Sequence, residues 1–299
     1  MDTLDDDSTI KQDAELAEPL RRVAYEAGMM LGLEATRDEQ AYHRRRLNRH
    51  QYWLHGYGTL AGMLVSQAPD SHENETDPVS VRLMVGPGIG IDGLGREVLV
   101  HETHCINLGD WLAAQTESHL REGYVAADAL LWLKVYVRQK DCPVAKQPVA
   151  ARKLNLGTDA VQPSQISDSV RLELVAEVPD DAADANPLWS GQAELTEDVP
   201  ELTESEQDYL DQVTAANAEA GAQLALHARL LHAMDTGLDS RNLSQALEQG
   251  ARLLLATVSI RVTDINAILV NPELIEINNL VRPFLMTASQ LAWLARRPA

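Results

Sequence analysis

Between Leu54 and Thr59 the hydrophobic period of the chain changes, and that change limits the fold more than any other feature. Upstream, His43, Leu47, His50 and Leu54 recur at spacings of four, three and four, one face of a helix. Thr36-Arg37-Asp38-Glu39 has the S/T-x-x-E pattern, in which the Thr and Glu side chains satisfy free backbone N–H groups at a helix start. The spacing predicts a helix from Thr36 to about Leu54, a rod of roughly 28 Å. Gly56 and Gly58 then end it, since glycine accepts left-handed cap geometry. Downstream the period is two. Strands are expected at Thr59–Val65, at Val79–Val85 and, after a break at Gly86-Pro87-Gly88 and a turn at Asp92-Gly93-Leu94-Gly95, at Arg96–His101. The expectation is a small antiparallel β unit directly after the first helix.

The rest of the chain continues the mixture. Gly109–Leu120 reads as a short helix and Ala129–Arg138 as a strong strand. Lys140–Gln165, with Pro143, Pro148 and Pro163, reads as a long connection. Ser169–Val178 alternates as a strand, and Pro179–Pro200 as a solvated acidic loop. A second capping box at Thr203-Glu204-Ser205-Glu206 opens a helix reaching to about Met234. Its Leu210, Val213, Asn217, Ala220, Leu224, His227, Leu231 and Met234 form either a coiled-coil-like seam or an Ala-rich face packed on the chain's own sheet. A helix at Ser240–Gln249, a strand at Arg252–Val262, a short strand at Val270–Ile277 and a C-terminal helix opened by Pro283 complete the reading. The fold class is α+β: a long N-terminal helix, small antiparallel β units, a long helix with an acidic cap and a C-terminal helix. Three segments are expected: an acidic flexible arm at 1–20, a helix plus β-hairpin unit at 21–105, and an α+β domain at 106–299 with an acidic loop at 179–203.

Charge enters through its placement. The net charge is −20. Residues 1–20 carry seven acids and one Lys, and residues 177–219 carry thirteen acids and no base. These two segments account for nearly all of the excess, so the remaining surface is close to neutral. The total argues against non-specific binding to nucleic acid or an anionic membrane. No run of eighteen apolar residues is present, and the polar start from Met1 to Asp13 is unlike a secretory signal. Two cysteines, Cys105 and Cys142, make no disulfide framework and fit a reducing compartment.

Candidate chemistry is sparse. Gly88-Ile89-Gly90-Ile91-Asp92-Gly93 spells G-x-G-x-x-G but leads into a strand instead of the helix that a dinucleotide site needs. His101-Glu102-Thr103-His104-Cys105 gathers metal-ligand types at the wrong spacing for H-E-x-x-H, and on a strand His101 and His104 point to opposite faces. His43, His50 and His55 read as packed or hydrogen-bonded histidines. Arg44, Arg45, Arg46 and Arg49, with Tyr52 and Trp53, form the most basic stretch. Arginine suits bidentate carboxylate pairing, so Arg44, Arg45, Arg49 and Trp53 are a candidate protein interface. No P-loop, nucleophile elbow or paired carboxylates set in a cleft is visible, and no cofactor is expected.

Four motifs in order carry a resemblance: Gly28-Met29-Met30-Leu31; Asp38-Glu39-Gln40-Ala41-Tyr42-His43; Leu54-His55-Gly56-Tyr57-Gly58 through Gly62; and Pro87-Gly88 through Asp92, Gly95 and Val98. Ser164-Gln165-Ile166, Leu172-Glu173-Leu174 and Val281-Arg282-Pro283-Phe284-Leu285 continue it. The chain resembles baseplate-associated structural proteins of phage-tail-like contractile injection systems, densely so over residues 25–100. The family often carries several cysteines in the long connection, where this chain has only Cys142. The resemblance implies a non-enzymatic subunit in or around a baseplate. Its partners would be other baseplate, sheath or tube subunits, with a homo-oligomer in a six-fold assembly as one arrangement. It would be made in the cytoplasm and built into a particle that is released or membrane-anchored. A cargo or surface-binding adaptor is the alternative. It also implies a scaffold role for His55, Gly56, Gly58, Gly62, Pro87, Gly88, Asp92 and Gly95.

Overall fold

The computed structural model describes residues 20–68, 81–148, 161–179, 202–232, 250–262, 264–265, 268 and 272–296. Most of the acidic arm, most of the acidic loop and the expected helix at 240–249 lie outside them. The described chain is α+β with antiparallel sheets. Helix α1 spans Leu33–His55. It starts before the expected capping box: Gly32 is the N-cap, and Thr36 sits inside the first turn with its hydroxyl donating to Gly32 O at 3.2 Å. The backbone N–H of Gly56, at φ 80°, closes the far end on Tyr52 O.

The expected strand 59–65 is two strands in two sheets. β1 (Gly58–Gly62) pairs with β4 (Gly88–Ile91), which pairs with β5 (Glu97–Val100). β2 (Val65–Gln67) pairs with β3 (Arg82–Val85), which pairs with β6 (His104–Asn107). Both members of one hairpin therefore cross from sheet to sheet at the same level, at Met63 and at Gly86-Pro87. The expected helix 109–120 is likewise two short ones, α2 (Leu108–Ala114) and α3 (Glu117–Glu122), each N-capped by a side chain, Asn107 and Thr116.

The largest sheet has the order β11-β10-β8-β7, with β9 also on β8. These are β7 (Tyr124–Val125), β8 (Leu130–Pro148), β9 (Val161–Ala176), β10 (Leu253–Arg261) and β11 (Ile275–Asn278). The described residues of the expected connection 140–165 are thus strand: β8 and β9 stay paired out to Pro148 and Val161. Its prolines suggested a loop, but a proline is tolerated where its missing N–H faces away from the pairing edge. Leu131, Leu133, Val135 and Val137 are fully buried, as are Leu253, Leu255, Val258 and Ile260 from β10. They belong to one buried cluster that also takes in Met63, Val85, Val98 and Leu108.

The expected long helix after Thr203 breaks once. Thr203 forms its capping box with Glu206, and α4 (Glu204–Ala216) ends at Asn217. Asn217 then caps α5 (Ala218–His232), its Oδ1 accepting from Glu219 N and Ala220 N. The seam drawn through Asn217 is therefore not continuous, and α4 buries no residue. The C-terminal helix α6 is Ala288–Ala295, so Pro283 does not open it. Thr287 and Gln290 do, with Thr287 N donating to Gln290 Oε1 and Gln290 N to Thr287 Oγ1.

Candidate interaction site

The turn after β4 is organised by one carboxylate. Asp92 is fully buried. Its Oδ1 accepts from the backbone N–H groups of Leu94 and Arg96, both at 2.9 Å, and its Oδ2 from Arg96 Nε at 2.8 Å. Burial pushes the Asp92 carboxyl up, while the Arg96 guanidinium and the two N–H groups pull it down. The tip is pressed onto α1: a Cβ added at Gly95, which sits at φ 78°, would lie 2.0 Å from Asn48 O. On its other side Gly93 N donates to Gly250 O at 2.7 Å.

The sheet-crossing corner is equally tight. Met63 N donates to Pro87 O, and Gly86 N to Leu64 O, both at 3.0 Å. A Cβ at Gly62 would meet Pro87 O at 2.2 Å, and one at Gly88 would meet Met63 N at 2.3 Å, so the two corners touch only because both residues are glycine. Met63 itself holds φ 54° with a fully buried side chain.

A distant segment locks this corner. Arg282 is 3% exposed; its Nη1 donates to Met63 O at 3.0 Å and Gly62 O at 3.3 Å, and its Nε to Asn279 O at 3.0 Å. Burial pushes the Arg282 guanidinium down to about 10. The Asn279 amide imitates a strand neighbour: its Oδ1 accepts from Val65 N and its Nδ2 donates to Val65 O. Next to it Thr59 N donates to Pro283 O and Leu285 N to Thr59 O, a parallel bridge onto β1. The sequence pattern places a helix start at Pro283 and marks no separate role for Asn279 or Arg282. The only sequence signal was the Val281-Arg282-Pro283-Phe284 segment itself.

Of the scaffold residues read from sequence, Gly56, Gly58, Gly62, Pro87, Gly88, Asp92 and Gly95 lie in this unit, while His55 is exposed at the α1 end, ring to ring with His50 at 6.0 Å. The basic stretch divides. On α1 the inward side is Arg45, Asn48 and Tyr52, and the outward side is His43, Leu47, His50 and Leu54. His43 Nε2 bonds Glu39 Oε1 at 3.1 Å. The Arg49 guanidinium is lowered by burial and then by neighbouring Arg45. The Trp53 side chain lies outside the described residues. Arg44 lines a cleft of about 350 Å³ between α1, β5 and the β8–β9 pair, together with Arg96, Glu97, Gln139, Asp141 and Asp168. From the remaining cluster, His101 sits in the loop before β6, at the cleft, and His104 lies opposite Val85. Among the described residues no three His, Cys, Asp or Glu side chains converge as a metal group, and no helix is long and apolar enough to cross a membrane.

Large apolar side chains border the locked corner. Leu64 and Leu280 are 60% and 79% exposed on either side of the Val65–Asn279 hydrogen bonds, and Phe284, Met286 and Trp293 follow them, all exposed. A second exposed run, Tyr25, Met29, Met30, Leu31 and Leu33, precedes α1. No family model and no curated protein matches the chain.

Proposed function

We propose that this chain is a non-enzymatic structural subunit of a contractile, phage-tail-like injection particle, working in or around the baseplate through subunit contacts. The observation that carries the reading is the locked corner. A rigid unit, fixed by Asp92, by glycines at closest approach and by Arg282, presents Leu64, Leu280 and Phe284 outward. Rigid placement of exposed apolar side chains is what a permanent contact needs, because little ordering entropy remains to be lost on docking. The residues of that unit are also those through which the sequence resembles baseplate proteins. In this reading the basic stretch of α1 contacts a neighbour through its accessible members, with Arg45 turned inward, no cofactor takes part, and assembly occurs in the cytoplasm of the producing cell.

Electron microscopy of particles made without this chain tests it. Incomplete or structurally altered baseplates are expected. Fully assembled, normal baseplates would overturn the reading and favour a cargo or surface-binding adaptor.

A further inference from the structure

Beyond Arg138 the β8–β9 pair leaves the large sheet and continues as a two-stranded ribbon to Pro148 and Val161, roughly 30 Å of extended chain. Its two faces carry opposite charge. On the core side the cross-strand pairs run Val137/Leu172, Gln139/Val170 and Asp141/Asp168. The last sets two carboxylates directly opposite each other, an arrangement that is destabilising unless a cation joins them. Neither forms an ion pair among the described residues, and Asp141 accepts only from Gln139 Nε2 at 2.8 Å. Both line the cleft, with Glu97 of β5 among its walls.

The other face is basic. Arg138 and Arg171 are cross-strand partners and Lys140 follows, exposed. Arg138, Arg171 and Arg252 all reach the one carboxylate of Glu173, at 3.6, 3.4 and 3.1 Å. The site therefore favours a cation beside Asp141 and Asp168.

We infer that the ribbon is an interface between copies of this chain joined head to tail, the basic face of one copy (Lys140, Arg171, Arg252) seated on the cleft of the next, where Asp141, Asp168 and Glu97 outnumber the neighbouring Arg44 and His101. Two different surfaces meet, so the contact is heterologous and repeats from copy to copy until it closes or extends. The argument rests on the face charges alone and stands or falls separately from the baseplate reading.

Sedimentation velocity on the purified full chain tests this. At about 50 mM salt the wild type associates, and at about 500 mM the association weakens at least about tenfold, because the contact is ionic and partly exposed. D141K/D168K alone and K140E/R171E alone each stay monomeric. Mixed in equal amounts they form a dimer and nothing larger, since each supplies one intact face. D141N/D168N, a gentler change, also weakens association, and circular dichroism confirms that each variant is folded. A wild type that is monomeric at both salts, as when the basic face is occupied by the chain's own acidic stretch 180–201, would overturn the inference. So would two variants that stay monomeric when mixed, or that associate alone as the wild type does.

Discussion

Replacing Arg282 by Met keeps most of the side-chain volume and removes every donor, which isolates the hydrogen bonds of the lock from its packing. In the native chain the guanidinium serves Met63 O and Asn279 O at 3.0 Å and Gly62 O at 3.3 Å. The substitution leaves the buried Met63 carbonyl, and the part-buried Asn279 and Gly62 carbonyls, without their charged donor. Each buried group left unsatisfied costs about 1–3 kcal/mol. Against this, R282M no longer buries a cation, which the lowered guanidinium pKa marks as a real expense of the native arrangement. The balance is a loss of about 1–3 kcal/mol, a sizeable part of a typical total of roughly 5–15 kcal/mol. Urea unfolding of R282M, N279A and the double variant reads it out. Arg282 and Asn279 act through one network, so the double variant should lose less than the sum of the singles, by about 0.5–3 kcal/mol. Amide exchange adds a local reading: Val65 N–H, which donates to Asn279 Oδ1, should exchange faster in R282M. A loss under about 0.5 kcal/mol, or additive singles with unchanged Val65 protection, would show that the corner holds without Arg282.

Two further outcomes follow from single contacts. Gly95→Ala should cost at least about 3 kcal/mol, since the new Cβ meets Asn48 O at 2.0 Å, whereas Gly28→Ala, at φ 88° with open space around it, should cost only about 1 kcal/mol; matching melting temperatures for the two would refute the close approach. Glu39 is held below its usual value of 4.5, chiefly by the Val23 N–H and then by His43, so its contribution is present above the unfolded value and is lost as pH falls through the folded one; the Val23 amide resonance should titrate with a midpoint below 4.5, and a midpoint at or above it would refute the bond.

The elements legible in the sequence were those whose cause is local. The end of α1 at Gly56, the Asp92–Gly95 turn, the alternation of β8 and β10 and the Thr203 capping box each follow from a few adjacent residues. What failed depended on a distant partner or on a competing local bond. The strand 59–65 splits because Gly62 and Gly88 permit two corners to touch, and periodicity contains no term for that contact. The described parts of 140–165, residues 140–148 and 161–165, are ribbon because β8 and β9 pair along them despite three prolines. Asn217 sits at a seam position by spacing, yet its side chain caps α5 and divides the helix. The candidate site was half legible: the glycines and Asp92 announced a tight hairpin, whereas Arg282 and Asn279 act across more than 200 positions, so no window of sequence could pair them with Met63 and Val65.

That separation gives the lock an order in time. Gly58 to Val65 are made early, but the residues that fasten them, 279 to 285, are added more than 200 positions later, on the order of 10–40 s at ordinary elongation rates. During that interval the Met63 and Gly62 carbonyls, the Val65 amide and the Thr59 edge wait without their partners. A ribosomal product that stops short of Arg282 keeps the hairpin sequence yet lacks the clasp. The finished corner is therefore a built-in mark of a chain translated past residue 285, and a partner that docked on it would select for such chains.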